Sequence, residues 1–214
     1  MNNLNCTFKK GAIFFIFRAT FSGFFCLIDR NRSMKNLETN FKLAKKHDRK
    51  GQKALYEMFS AKMLAIANSY VNNIPDAEDI VMNSFFTCLS KIQECREWKS
   101  FPFWLRKIVV NNSINLIRKS KNILYSDVEI DSLDYSEDTW DEDMITIDLD
   151  EIFSKMPDGY RLVFNLYVFE EKKHYEIAEM LNISEGTSKS QLSKSKKWIS
   201  DFLKQKKDEK QYAK

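Results

Sequence analysis

At 214 residues the chain can hold one medium domain or two small ones, each with its own core. Five Gly, three Pro and abundant Lys, Glu, Leu, Met and Ile exclude a sheet-rich protein and set the expectation of an all-α fold. Four cysteines without a CxxC pair and two histidines far apart exclude a zinc site or disulfide framework, and read as reduced thiols of a cytosolic chain that needs no cofactor.

The net charge of +4 hides an asymmetry. Asp127 to Glu151 carries twelve acidic residues and no basic one, leaving 34 basic against 18 acidic side chains elsewhere, a balance that suits a polyanionic partner.

Residues 1–33 stand apart from the rest of the chain. AIFFIFRATFSGFFCLI at 12–28 is apolar and aromatic, but Arg18 near its centre costs about 2.5–3.5 kcal/mol on insertion into a bilayer, and no small-residue cleavage site comes after it. This segment reads as an extension outside the working protein, with translation expected to begin at Met34. The second reading is an interfacial helix that tethers the chain to a membrane.

Residues 34–121 pattern as a first helical domain. Leu55, Met58, Phe59, Met63 and Ile66 recur on one helical face, and a break follows at Asn72 to Pro75. Asp76 is the expected N-cap of the next helix, with Glu78 and Asp79 adding negative charge at its positive end. That helix should bury Val81, Phe85 and Cys88 and leave Asp76, Glu78, Asp79, Asn83 and Ser84 outside. An aromatic and basic segment comes next, with Arg96, Trp98, Lys99, Ser100, Phe101 and Trp104. Aromatics beside cations suit single-stranded DNA, which needs a π surface for an unstacked base and a positive track for the backbone. The bland alternative is that these rings close a small core, and for Trp104 this is the preferred reading. In the last helix of this half Asn111, Asn115 and Arg118, spaced by four and three, form a polar stripe suited to hydrogen bonding with a duplex.

The acidic stretch is expected to be a flexible linker over 122–148, since like charge without apolar periodicity cannot build a core. It lacks the oxygen spacing and Gly of an EF-hand loop. A second domain is expected over 149–206, then a charged tail, 207–214. Within that domain Tyr175–Trp198 reads as two helices joined by a tight polar turn. Ile177, Ala178 and Leu181 mark the first helix, and Asn182 and Ser184 supply the turn and an N-cap. In the second helix Leu192, Ser195, Ile199 and Phe202 should face inward, with Lys189, Gln191, Ser193, Lys194, Lys196 and Lys197 spread over the remaining surface. This is the pattern of a helix-turn-helix, which offers lysines to phosphate and short polar side chains to base edges. A solvated lysine-rich face of a bundle is the bland alternative.

Three motifs in order, DAEDIV at 76–81 followed by Phe85, FWLRKIVVNNSINLIRK at 103–119, and the segment from Met156 to Ile199, resemble the extracytoplasmic-function (group IV) sigma factors of bacterial RNA polymerase over about Phe41 to Phe202. The resemblance implies a non-enzymatic, cytoplasmic factor that binds core RNA polymerase and promoter DNA and directs transcription initiation. It implies core docking through Asp76, Glu78 and Asp79. A flipped base of the minus-ten element would lie against the Arg96–Phe101 loop, including Trp98, Lys99 and Ser100. Asn111, Asn115 and Arg118 would run along that element, and Ser184, Glu185, Thr187, Lys189, Ser190 and Lys194 would approach the minus-thirty-five element. An anti-sigma partner is compatible with the absence of a fused sensor; a small-molecule substrate is not expected. The chain departs from the family at Met82 and Asn83, where Gln and Glu are usual, at Lys172 and Lys173, where a Gly is common, and at Ser195, usually Ala.

A stand-alone helix-turn-helix regulator would explain residues 175–198 but gives no reason for DAEDIV or the aromatic-basic segment. An enzyme would need a clustered nucleophile, paired carboxylates in a rigid frame or a phosphate-cradling Gly loop, and the sequence shows none of these.

Overall fold

The computed structural model describes residues 32–120 and 149–212. The expectations about an N-terminal extension, a membrane tether and an acidic linker fall outside these residues. Every regular element among the described residues is helical. The first group comprises α1 (Arg32–Lys45), α2 (Arg49–Val71), α3 (Ile74–Ser90), two single 3-10 turns (Ile92–Glu94 and Trp98–Ser100) and α4 (Phe101–Ser120). The second comprises α5 (Leu149–Lys155), α6 (Asp158–Val168), α7 (His174–Leu181) and α8 (Glu185–Tyr212). The last helix thus runs past residue 206, where the sequence suggested a tail. No described helix is long and apolar enough to cross a membrane.

Local chemistry fixes the first group. The Asp48 side chain caps α2 by accepting from the N–H groups of Lys50 and Gly51. Gly51 lets α1 lie close: a Cβ there would sit 2.7 Å from Ala44 N and 2.8 Å from Asn40 O, which are backbone atoms that cannot step aside. The N-cap of α3 corrects the sequence expectation. Asn73, not Asp76, takes that position and accepts from the Asp76 N–H at 3.1 Å. Pro75 falls within the first turn, where a missing N–H costs nothing, so the helix starts before the proline rather than after it. The core between α2, α3 and α4 is apolar, built from side chains such as Phe59, Met63, Phe85, Leu105 and Val109. Cys88 and Cys95 are buried free thiols, and burial pushes both up and away from the reactive thiolate form.

The second group is threaded with polar side chains. Arg161 is 2 % exposed and Asn165 fully buried on α6. Arg161 donates through Nη1 to the carbonyls of Phe153 (3.1 Å) and Met156 (2.9 Å), and through Nη2 to Asp158 (2.6 Å). One guanidinium thereby ties α5 to α6.

The two groups are in contact. The C-terminal turn of α2 lies against α6, and its last carbonyls, which have no partner within the helix, are met from there. Asn165 Nδ2 donates to Ser69 O at 2.7 Å, and Arg161 Nε to Tyr70 O at 3.3 Å. Beside them Arg106 of α4 forks onto Glu170, with Nη2–Oε1 at 2.6 Å and Nε–Oε1 at 3.0 Å. Asn72, in the left-handed conformation that ends α2, donates from Nδ2 to Ser154 O at 3.0 Å.

Candidate nucleic-acid interface

The geometry of the α7–α8 pair comes from three small devices. Glu176 accepts from the Lys173 N–H at 2.8 Å and closes the first turn of α7, and that hydrogen bond holds its carboxyl below the usual range. Asn182 ends α7 with φ 56°, the left-handed conformation that Asn tolerates. Ser184 then caps α8 as the sequence suggested, its Oγ accepting from the Thr187 N–H at 2.9 Å. The Ser184 and Thr187 hydroxyls also meet at 2.8 Å. Behind the turn His174 Nδ1 lies 2.9 Å from the buried Ser188 Oγ, and the imidazole stacks on Tyr167 with centroids 4.8 Å apart. Burial, then Lys189, holds that imidazole below its ordinary pKa, which favours its neutral form.

At the start of α8, Ser184, Glu185 and Lys189 are exposed, while Thr187, Ser190 and Lys194 are half-buried along the same helix. Lys189 pairs with Glu185 at 2.9 Å across one turn, which lowers the Glu185 carboxyl. Gln191 is a correction: expected on the surface, it is 5 % exposed, because Gly159 leaves room for its amide where α6 and α8 meet. Ser195 and Ile199 face inward as their spacing indicated. Phe202 is partly buried, stacked on Trp198 at 5.2 Å.

In the first group Asn111, Asn115 and Arg118 are exposed along one face of α4. Their neighbour Asn112 turns the other way and donates to Ser84 Oγ at 2.9 Å; Ser84, expected outside from the sequence, is instead buried between the two helices. The loop before α4 divides. Arg96, Lys99 and Ser100 are exposed, and Lys99 lies over the half-buried Trp98 ring, 5.5 Å from its centroid. Phe101 is a further correction. It is fully buried, edge-on to Phe41 with centroids 5.7 Å apart, and so supports the loop from below instead of offering a face to a base. Trp104 is partly buried against the core, as preferred from the sequence.

Asp76, Glu78 and Asp79 are all exposed on the first turns of α3. Next to them on that helix are two large exposed apolar side chains: Met82, 60 % exposed, already noted as a departure from the family pattern, and Phe86, 75 % exposed, passed over in the sequence. The signal was present in the spacing, since Phe86 falls off the helical face that carries Val81, Phe85 and Cys88. Among the described residues no group of His, Cys, Asp or Glu is placed to hold a metal ion.

These surfaces agree with comparisons to known proteins. Residues 55–123 match the family described as Sigma-70 region 2, and residues 146–199 match Sigma-70, region 4. The RNA polymerase sigma factor SigV of Bacillus subtilis is 32 % identical over 132 residues, covering 62 % of this chain and 78 % of that one. The ECF RNA polymerase sigma factor SigW of the same organism is 28 % identical over 173 residues, 75 % of this chain and 92 % of that one. A third relative there, the ECF RNA polymerase sigma factor SigM, is 26 % identical over 147 residues, 66 % of this chain and 88 % of that one.

Proposed function

Because the chain belongs to the extracytoplasmic-function sigma factors of bacterial RNA polymerase, a family of non-enzymes, we propose a division of labour among its three exposed surfaces. The protein is a promoter-recognising sigma factor, and its work is selective binding that lowers the cost of opening one DNA sequence relative to others. Asp76, Glu78 and Asp79 dock the core enzyme, with Met82 and Phe86 supplying an apolar strip beside the charges. Arg96, Trp98, Lys99 and Ser100 receive an extruded base of the minus-ten element, offsetting an unstacking cost of a few kcal/mol only when the base fits. Asn111, Asn115 and Arg118 track that element along α4. Ser184, Glu185, Thr187, Lys189, Ser190 and Lys194 read the minus-thirty-five element, each good base contact contributing about 1–3 kcal/mol of discrimination. This work is cytoplasmic and needs neither cofactor nor small-molecule substrate; an anti-sigma factor is the kind of regulator it accommodates.

The observation that carries the reading is the coexistence of an exposed polar stripe on α4 with a capped, lysine-bearing start of α8, on the two segments that match sigma regions 2 and 4. The test is transcription by purified core polymerase on fragmented genomic DNA with and without the protein, reading RNA 5′ ends. New starts that share two upstream elements support the proposal. Tight duplex binding without new starts would favour a stand-alone regulator. In the same system Lys189→Ala and Lys194→Ala should each flatten the salt dependence of duplex binding by a log–log slope of about 0.9 for every phosphate no longer neutralised.

A further inference from the structure

We propose that the turn between α1 and α2 is a further DNA-binding surface, a positively charged track for the single strand that continues past the minus-ten loop. The identity of that strand rests on the sigma-factor reading above. Residues 42–53 hold six lysines and arginines against one acidic residue, Asp48. The fold sorts these charges. Lys42 is paired with Glu38 at 2.6 Å and Lys53 with Glu57 at 3.6 Å, each one turn away on its own helix. Lys45 is half-buried, with its Nζ over the Phe41 ring and 5.4 Å from the centroid. The Asp48 carboxylate is engaged in capping α2. Lys46, Arg49 and Lys50 remain at the tip of the turn, exposed, with no carboxylate paired to them among the described residues. The chain reverses sharply between them: His47 takes the left-handed conformation, φ 59°, and the N–H groups of Lys46 and Asp48 both return to Leu43 O, at 2.9 and 3.1 Å. Three uncompensated cations are thereby held in one small area.

Stability does not account for this placement. Helix α2 has no acidic residue in its first turn, and Arg49 and Lys50 stand at the end where the helix dipole disfavours cations. Such a charge pattern works against the fold and in favour of an anionic partner. Position selects which one. Helix α1 touches both 3-10 turns that frame the minus-ten loop. Gln93, in the first of them, donates from Nε2 to Lys45 O, and Phe41 of α1 lies edge-on to Phe101 beneath the loop. The charged turn is thus tethered to the loop, whereas α4 carries Asn111 and Asn115 about 15 and about 21 Å away from its Phe101 end. The surface therefore runs from the α4 stripe, suited to duplex, through the loop with Arg96, Lys99 and Ser100, to the cations of the turn. DNA opened at the loop reaches them as a single strand. Lysine and arginine there meet backbone phosphates and read no bases, so the track adds affinity without adding sequence preference.

The experiment titrates the full-length chain against a fluorescent oligothymidylate of about 16 nucleotides over a range of salt. The unsubstituted chain is compared with Lys46→Gln/Arg49→Gln/Lys50→Gln and with the charge-keeping Lys46→Arg/Lys50→Arg. Each phosphate neutralised on a single strand contributes a log–log salt slope of about 0.7, so the triple variant should be shallower by about 2. Between about 50 and about 200 mM salt the unsubstituted chain should then lose about twentyfold more affinity than the triple variant. The charge-keeping variant should retain the steep slope. Melting temperature should not fall in the triple variant, because cations leave the positive end of α2. An unchanged slope in the triple variant, or a slope lost in the charge-keeping one, would overturn the track. A second measurement locates the strand. Lys53→p-benzoylphenylalanine, irradiated in complex with core polymerase and a promoter fragment, should crosslink to DNA between the minus-ten element and the transcription start; crosslinks confined to DNA upstream of that element would overturn the assignment. Salt slopes that differ as expected, with no promoter-dependent transcription from any form, would leave a single-strand-binding surface standing and remove the sigma-factor reading instead.

Discussion

The two helix groups bury apolar side chains to similar effect but treat polar groups in opposite ways. In the first group the buried polar residues are Ser69, Ser84 and Ser113, and two of them bond back within their own helix. In the second they include Arg161, Asn165 and Gln191, long or planar groups whose donors must be met in fixed directions. An apolar core tolerates adjustment, whereas a polar one requires its partners in place. At the contact each group depends on the other: the carbonyls of Ser69 and Tyr70 at the end of α2 accept from Asn165 and Arg161 of α6.

Phe101→Ala should give the largest effect and remain a matter of the first core: a loss of about 3–5 kcal/mol, read from urea unfolding, as for a large buried ring removed from close packing. A stability loss of less than about 1 kcal/mol would return Phe101 to the proposed minus-ten contacts. Arg161→Met sharpens the contrast. It strips the carbonyls of Tyr70, Phe153 and Met156 of their donor and should cost about 3 kcal/mol, with amide exchange accelerating in α5 and α6 before α3.

The two glycines at helix crossings make a smaller test of the same difference. A Cβ at Gly51 would meet backbone, and one at Gly159 the amide end of Gln191 at 3.1 Å. Gly51→Ala should therefore lower the urea midpoint by the equivalent of about 2 kcal/mol, and Gly159→Ala by less, since a side chain can shift where backbone cannot. Ser184→Ala removes the cap of α8 and should cost about 1 kcal/mol in a thermal melt.

The smallest effect is a pH dependence. The His174 imidazole is held below its ordinary value near 6.5 by burial and by Lys189 and Lys196, against the opposing pull of Glu185. Its contribution is complete above that value and is lost as pH falls through the lowered one, because the unfolded chain then binds the proton first. Melting temperature should drop more between about pH 7.5 and about pH 5.5 in the unsubstituted chain than in His174→Asn.

Much of this was legible from spacing. The turn of the helix-turn-helix could be read down to the Ser184 cap, because caps and turns are short-range chemistry set by two to four neighbours. The stripe of Asn111, Asn115 and Arg118 was equally plain, since helical periodicity puts them on one face whatever packs behind. The start of α3 was misplaced because Asn73 and Asp76 are equally good caps, and Pro75 is as much at home in a first helical turn as in a break. Phe101 and Gln191 were misread for another reason. A ring beside lysines suits DNA as well as core, and an amide on a lysine-rich helix looks solvated until a glycine on a different helix makes room for it.

The sequence by itself determined the helices, their order, the charge asymmetry and the polar stripe exposed along α4, because composition, capping and periodicity act over a few residues. Only the tertiary structure decided which aromatic residues are buried and that the carbonyls of Ser69 and Tyr70 are met by Asn165 and Arg161. Those partners lie 96 and 91 residues apart in the chain, and Arg106 lies 64 from Glu170. No local pattern carries such pairings, since each depends on how two independently patterned groups of helices come together.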